Sequence, residues 1–485
     1  MEAQDAGRRA AARTGLKTST SFVANPVVSP RRQPQLRERR TKRLTGEAAM
    51  PSGGKLVQSR CALSARSGRP ILLIYAVLFH MQCARSMYIV LISWLALRIS
   101  GDVGSVGKVL ICWQILALTI GPFAGHLIDR SNRRRAFAAG EMIHGSGVAA
   151  LSVVTWVYGS QPTPLAALYA TATFVSLGSL LSYPSSQALL QRAGAAALMR
   201  AVSRGILAGQ VGNIVGAVIG GLCLAAFSVT ACLLMCAGFS FVAAALAGLV
   251  DDQDSAPSRS RGVHGRDLAR GLSETFGNAQ VRIACFGLIL AFASAHASNA
   301  LLAAFTRFDL KSSSETYGFL AAMYSGGGVL GSVALAVFSR RMAERAMVGA
   351  GTVLLAVATG GFSSAGTATE ALCWQGAIGL SFTFIRAGCD VTILKAVSTG
   401  MIGRVRSNID AAIGLAAIVI YLLPSLLQGF SPRAMFVSLS CAFACCSGLI
   451  LWLQFCSARA GPPRPGDNRR AIPSSPPVST RRIEP

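Results

Sequence analysis

Six of the ionisable residues inside long apolar runs stand out. Arg85 lies within 71–97, Glu141 and His144 within 136–158, His296 within 281–304, and Arg386 and Asp390 within 371–393. Asn299 shares the run of His296. A charged group at the depth of a lipid bilayer is costly unless it faces a partner or a water-filled cavity. The chemistry open to these residues is therefore recognition of a polar solute and carriage of a proton. Arg85 and Arg386 would give a cavity a cationic field for an anionic or strongly polar substrate group. Asp390 is the leading proton-responsive carboxylate, with Glu141 and His144 as a second candidate site. Arg386 and Asp390, four residues apart on a helix, could equally just neutralise each other. Arg85 has no acid within one turn.

The surrounding elements must then be membrane helices. Of the 485 residues, 52% are hydrophobic and only 14% charged, with mean hydropathy +0.50. That charged share is roughly half that of a soluble domain. Yet 46 Lys and Arg oppose 20 Asp and Glu, a formal net charge of +26. Position reconciles the two facts. Residues 1–69 form a basic tail with 15 cations and four acids, and 457–485 a basic, Pro-rich tail with six and two. Between them, apolar runs of about 20 residues, the length that crosses a bilayer, predict twelve helices near 71–97, 105–127, 136–158, 165–184, 201–224, 229–250, 281–304, 317–339, 346–364, 371–393, 409–430 and 434–456. The polar stretch 251–280 divides them into six-helix bundles at 70–250 and 281–456. The fold class expected is all-α integral membrane, with twelve helices as two six-helix pseudo-repeats around a central cavity.

The cations also give an orientation. Leaving out both tails, 18 Lys and Arg fall on the side of the N-terminus and 5 on the other. Positive charge is retained on the cytoplasmic side, so both termini, including a disordered N-terminal tail drawn to anionic lipid, are expected in the cytoplasm, in a multi-pass protein of the cytoplasmic (inner) membrane. Twelve of the 13 Cys fall in the helices and no Cys or His spacing suggests a metal site. No recognition module accompanies the basic charge, so nucleic acid is not an expected partner.

The segment Gly121–Arg135 reads GPFAGHLIDRSNRRR. It resembles the loop between spans 2 and 3 of the major facilitator superfamily, with Gly125, Leu127, Asp129, Arg130, Arg133 and Arg134 at the pattern's positions. The resemblance implies that this loop gates the transporter, Asp129 meeting the start of span 11 in the outward-facing arrangement. Here the backbone near Asn408, or Arg404 and Arg406, would serve. Asn132 replaces the pattern's second glycine, a substitution that a left-handed turn tolerates. In span 5, Gly212, Gly216, Gly220 and Gly221 resemble the superfamily's antiporter motif, with Ala217 where proline is expected. A stripe of small residues for helix packing is the other reading. Tyr183-Pro184 with Gln187, Tyr317-Gly318 with Gly326–Gly331, and Gly403-Arg404-Val405 with Ser407 extend the likeness to the bacterial macrolide-efflux and enterobactin-exporter-like branch.

In that superfamily spans 1, 4, 7 and 10 line the cavity, so the resemblance assigns Arg85, His296, Asn299 and Arg386 to substrate. The function expected is secondary active export of a small organic molecule, siderophore-like or drug-like, by proton antiport with alternating access. No cofactor is expected, because the proton gradient drives transport and no P-loop G-x-x-x-x-G-K-[ST] is present. Partners would be the small-molecule substrate, protons and membrane lipid, with the chain a monomer. Lipid or lysophospholipid flipping and a non-transporting sensor are the alternatives. An enzyme is not expected, for want of a nucleophile–base constellation.

Overall fold

The computed structural model describes residues 68–121, 131–159, 161–190, 195–250, 277–338, 342–397, 401–427 and 429–459. These form twelve helices: α1 Gly68–Ser100, α2 Gly104–Thr119, α3 Arg133–Tyr158, α4 Leu165–Leu190, α5 Ala195–Ala226, α6 Val229–Gly248, α7 Ala279–Ala304, α8 Ser314–Phe338, α9 Glu344–Ser364, α10 Ala368–Ala396, α11 Ile402–Leu426 and α12 Pro432–Arg459. Eleven are long and apolar enough to cross a bilayer, and α2 is a shorter apolar helix of 16 residues. Among the described residues there is no strand. Lipid offers no partner for an open backbone, and a helix satisfies its own. Side-chain hydroxyls follow the same rule. Thr171, Ser176, Thr359 and Thr392 each donate to the carbonyl four residues back, at 2.6–2.8 Å.

Helix ends are set by local chemistry. Asn132 caps α3, its side chain accepting from the Arg134 and Arg135 amides at 3.1 and 3.2 Å. Its φ of −67° is extended backbone, so Asn stands here as a cap and not as the left-handed turn residue expected from the motif. Losing an N-cap costs about 1 kcal/mol. Asn132→Ala is expected to lower the unfolding midpoint in detergent modestly, and an unchanged midpoint would show the cap to be idle. Asn278, Ser228 and Thr367 cap α7, α6 and α10 in the same way. Gly101 and Gly159, after α1 and α3, take φ of +68° and +54°, which glycine adopts without a Cβ clash. A five-residue π-helical turn, Phe305–Asp309, prolongs α7. Phe305 is buried against Phe362 and Phe436, with centroids 4.6 and 5.5 Å away.

The odd-numbered helices all start at one end, called here the basic end. Three apolar clusters show how the two sets of six helices meet. The largest joins α7–α12 to Val90, Leu97, Val106 and Ala217, with Trp94 and Val103 packed against it. Its α1 and α2 members lie toward the end opposite the basic end. A cluster at the basic end, built on Ile74, Leu78, Phe137, Leu189, Ala243 and Val250, draws on the first six helices alone.

Backbone contacts agree. Gly107 of α2 abuts the Tyr421 carbonyl of α11, so closely that a Cβ there would overlap it. Gly221 of α5 faces Gly318 of α8, where a Cβ would come within 2.8 Å. Trp94 stacks on Tyr317, centroids 5.8 Å apart. The two bundles are thus sealed at the end remote from the basic end.

One boundary differs in a way that matters. The predicted span 11 began at 409, because Gly403–Asn408 is polar. The helix begins at Ile402, which places Arg404, Arg406 and Asp410 on its first turns.

Candidate functional site

The first polar cluster lies inside the N-terminal bundle. Arg85 Nη2 of α1 meets Glu141 Oε1 of α3 at 3.2 Å. The same guanidinium donates to Ser182 and, from Nε at 3.4 Å, to Ser179, both on α4. Glu141 is fully buried and the Arg85 side chain is 16% exposed. The serines reach this pair because Gly140 and Gly178 let α3 and α4 touch, leaving a Cβ at Gly140 only 2.6 Å from the Gly178 carbonyl oxygen. One turn along α3, His144 is fully buried, with Nδ1 at 2.9 Å from the Ser240 hydroxyl of α6. Its ring stands 5.8 Å from that of Tyr88. Among the described residues Arg85 Nη1, Glu141 Oε2, His144 Nε2 and the Tyr88 hydroxyl have no hydrogen-bond partner. Arg85 therefore does have an acid, supplied across the bundle by Glu141. Its charge is turned into the bundle and largely neutralised, which weakens the expected pairing of Arg85 with Arg386 as joint sources of a cationic field.

The second cluster is a charge ladder in the C-terminal bundle. Arg386 Nε lies 3.6 Å from Asp390 on α10. Asp390 also accepts from Arg406 Nη1 of α11, and Arg406 Nε reaches Asp410 at 3.4 Å. All four side chains are between 32% and 59% exposed. Arg386 and Asp390 do neutralise each other in part, but Asp390 is shared with a second cation. Arg406, one of the anticipated partners of Asp129, meets Asp390 and Asp410 here, while Asn408 Nδ2 is buried without a partner among the described residues. The ladder was only half legible. Arg406 and Asp410 carry the i, i+4 signal, but α10 and α11 must be set side by side before Arg406 can find Asp390.

The same wall carries aromatic rings. The Arg386 guanidinium lies 5.8 Å from the Phe292 ring and 6.0 Å from that of Phe382. Phe292 and Phe382 meet edge to face at 5.2 Å, and Tyr324 of α8 is 6.0 Å from Phe382. His296 Nδ1 is 2.9 Å from the Tyr421 hydroxyl, beside which Asn299 also stands. Helix α7 is mostly buried, and its partly open positions Ile289, Phe292, His296 and Asn299 recur at helical spacing. They form one stripe facing the space between the bundles. The aromatic members were missed from sequence, although Phe292, His296 and Asn299 follow a helical spacing.

The remaining expected sites divide. Gly125, Asp129 and Arg130 of the gating loop lie outside the described residues, as do 1–67, most of the central linker and 460–485. Arg134 Nη1 donates to the Val250 carbonyl at 3.0 Å, tying the start of α3 to the end of α6, and Arg133 also makes an interaction. Gly212, Gly216 and Gly220 pack α5 on α1 against Phe79, Cys83 and Val90, whereas Gly221 faces α8. These glycines thus pack α5 on α1, with one member at the bundle seam. Among the described residues no group of His, Cys, Asp or Glu is arranged to hold a metal ion.

Residues 74–295 match the model of the Major Facilitator Superfamily. The fold is the major facilitator fold. Among solved structures, the nucleoside transporter NupG is similar at 15% identity and TM-score 0.63, over 79% of this chain and 98% of that one. A bacterial homologue of the human lysosomal transporter Spinster, inward-facing and unoccupied, is similar at 14% identity and TM-score 0.57, over 81% and 95%. A POT family transporter in complex with 5-aminolevulinic acid is similar at 11% identity and TM-score 0.63, over 79% and 95%. No curated protein matches the chain. The family match covers less than half of the chain, and the solved neighbours share its multi-pass helical fold.

Proposed function

We propose that this protein is a secondary transporter that exports a small organic molecule across the cytoplasmic membrane in exchange for protons, working as a monomer by alternating access. The observation that carries the reading is the seal between the bundles at the end remote from the basic end, with no apolar cluster joining them at the basic end among the described residues. The apolar cluster that joins them draws its α1 and α2 members from one end, and the cluster at the basic end belongs to one bundle alone. With the basic end, and with it both termini, in the cytoplasm, the cavity opens inward, where an exported solute would enter. The charge ladder and the α7 stripe border that cavity. The substrate is a siderophore-like metabolite or a drug, as in the macrolide-efflux and enterobactin-exporter-like branch whose motifs the chain resembles.

Asp390 is the leading proton carrier, being partly open to the cavity and held between two arginines whose hold would weaken on protonation. Glu141 with His144, sealed in the N-terminal bundle, is the second candidate. In proteoliposomes, wild-type protein is expected to show substrate-dependent proton flux, and Asp390→Asn to transport without dependence on the proton gradient. A gradient dependence unchanged in Asp390→Asn would remove Asp390 from this role, and an absence of coupled flux in the wild type would defeat proton antiport. Comparing extracellular metabolites of cells with and without the gene, under iron limitation and iron excess, would identify the cargo.

A further inference from the structure

Resting on the reading of the protein as a transporter, we propose that the C-terminal wall of the cavity is built for a substrate that joins a planar aromatic ring to a single anionic group. The ring lies against Phe292, Phe382 and Tyr324, the anion lies at Arg386, and the His296–Tyr421–Asn299 group takes a polar substituent.

Three observations carry this. The first is which cation the cavity holds. Of the two arginines deep in the helices, Arg85 is spent on the fully buried Glu141 and on two α4 serines, so its charge is directed into its own bundle. Arg386 is 46% exposed, and its one acidic partner among the described residues is Asp390, reached through Nε at 3.6 Å. Asp390 is satisfied more closely by Arg406. Arg386 therefore keeps guanidinium N–H donors for a guest, and of the two deep arginines it is the exposed one, the unused Nη1 of Arg85 being buried.

The second is what surrounds that cation. Its guanidinium sits about 6 Å from two phenyl rings that meet edge to face, with a tyrosine ring 6.0 Å beyond. Rings so arranged present both edges and faces to a flat guest, and aromatic contacts favour offset or edge-to-face geometry. An anionic ring would share the guanidinium's cation–π environment while meeting its charge. A cationic guest would be repelled by Arg386, and an aliphatic anion would forgo the rings.

The third is position. Phe292, His296 and Asn299 fall on the partly open stripe of α7. His296 and Tyr421 are hydrogen-bonded to each other at 2.9 Å, which fixes both side chains and leaves the second imidazole nitrogen and the Asn299 amide as a polar edge beyond the rings. Ring, anion and polar substituent are thus recognised by side chains from α7, α8, α10 and α11 of one bundle.

The test uses purified full-length protein in detergent and three fluorescent or competing probes of like shape: 2-naphthoate, its neutral amide 2-naphthamide, and the saturated decahydro-2-naphthoate. Wild type is expected to bind 2-naphthoate at least about tenfold more tightly than either analogue, the worth of one charge-assisted hydrogen bond or of a stacked ring. Arg386→Gln should abolish the preference for naphthoate over naphthamide while leaving naphthamide binding in place. Phe292→Leu with Phe382→Leu should abolish the preference over the saturated acid. The retained binding of one probe shows that each variant is folded. Equal binding of all three probes by wild type, no binding of 2-naphthoate, or a naphthoate preference that survives Arg386→Gln would overturn the proposal. Because binding is read without a membrane, selective binding with no movement of 2-naphthoate in proteoliposomes would leave the site standing and count against export alone.

Discussion

Arg85→Ala is expected to destabilise the protein by about 3–5 kcal/mol, the loss seen when one partner of a buried ion pair is removed. The size follows from burial. Glu141 is fully buried and its one cationic contact among the described residues is Arg85 at 3.2 Å, so truncating the arginine strands a carboxylate among α1, α3, α4 and α6. The serines at 179 and 182 would lose their ionic partner at the same time. Coupling is what separates this from the loss of a long side chain. Arg85→Ala with Glu141→Gln should recover most of the stability, because no charge is then left buried. The readout is the unfolding midpoint followed with a thiol-reactive dye, for which buried Cys83 and Cys236 are convenient reporters. Strictly additive effects of the two substitutions would show that the pair is not coupled. The ladder offers the contrast. Arg386 and Asp390 are 46% and 32% exposed, and exposed pairs contribute about 0–1 kcal/mol. Arg386→Gln should therefore leave the midpoint nearly unchanged while altering substrate recognition.

The second large effect concerns the seal between the bundles. At Gly107 a side chain would run into the Tyr421 carbonyl of α11, and at Gly104 it would meet Ser425. Gly107→Leu therefore loads strain on the closed seam without touching the interior of either bundle. Overpacking strain of about 1–3 kcal/mol, placed on one of two states, shifts their ratio roughly five- to 150-fold. The bundles should part at the end remote from the basic end, favouring the outward-open form. Spin labels replacing exposed Phe227 and Lys311, one beyond α5 and one before α8, should move apart by several ångströms in a cysteine-free background. An unaltered distance distribution would mean that the seam yields without opening. Gly327→Leu is the control. Its side chain would meet the Gly376 carbonyl between α8 and α10, inside one bundle, so it should lower the unfolding midpoint without widening the seam.

Much of the fold was readable in the chain because lipid imposes a strict rule. A segment crossing a bilayer must be long, apolar and helical, so the twelve helices follow from apolar runs and polar joints. The exceptions are informative. Helix α11 starts seven residues earlier than predicted, since the polar stretch Gly403–Asn408, with Arg404 and Arg406, is helical where polarity alone assigns a loop. Helix α4 runs on through Pro184 to Leu190, an interruption that membrane helices absorb with neighbouring groups. Asn132 stands where a glycine was expected, and the backbone uses it as a cap.

The candidate site was legible as a set of residues and not as a set of partners. Arg85, Glu141, His144, His296, Arg386 and Asp390 announce themselves because an ionisable group deep in an apolar run needs a reason. Which of them meet is decided by the rotation of each helix about its axis and by which helices are neighbours, and no single run encodes either. Arg85 and Glu141 are 56 positions apart, and they pair because α6 packs on both α1 and α3, while glycines bring α3 onto α4, whose serines flank the pair. Phe292 and Phe382 look like ordinary core residues until α7 and α10 bring them together beside Arg386. The sequence by itself determined the membrane class, the number of helices and the depth of the charges, because the solvent preference of each segment acts locally. The tertiary structure alone decided which charges cancel, which one stays half exposed and at which end the bundles meet, because those depend on contacts between segments distant in the chain.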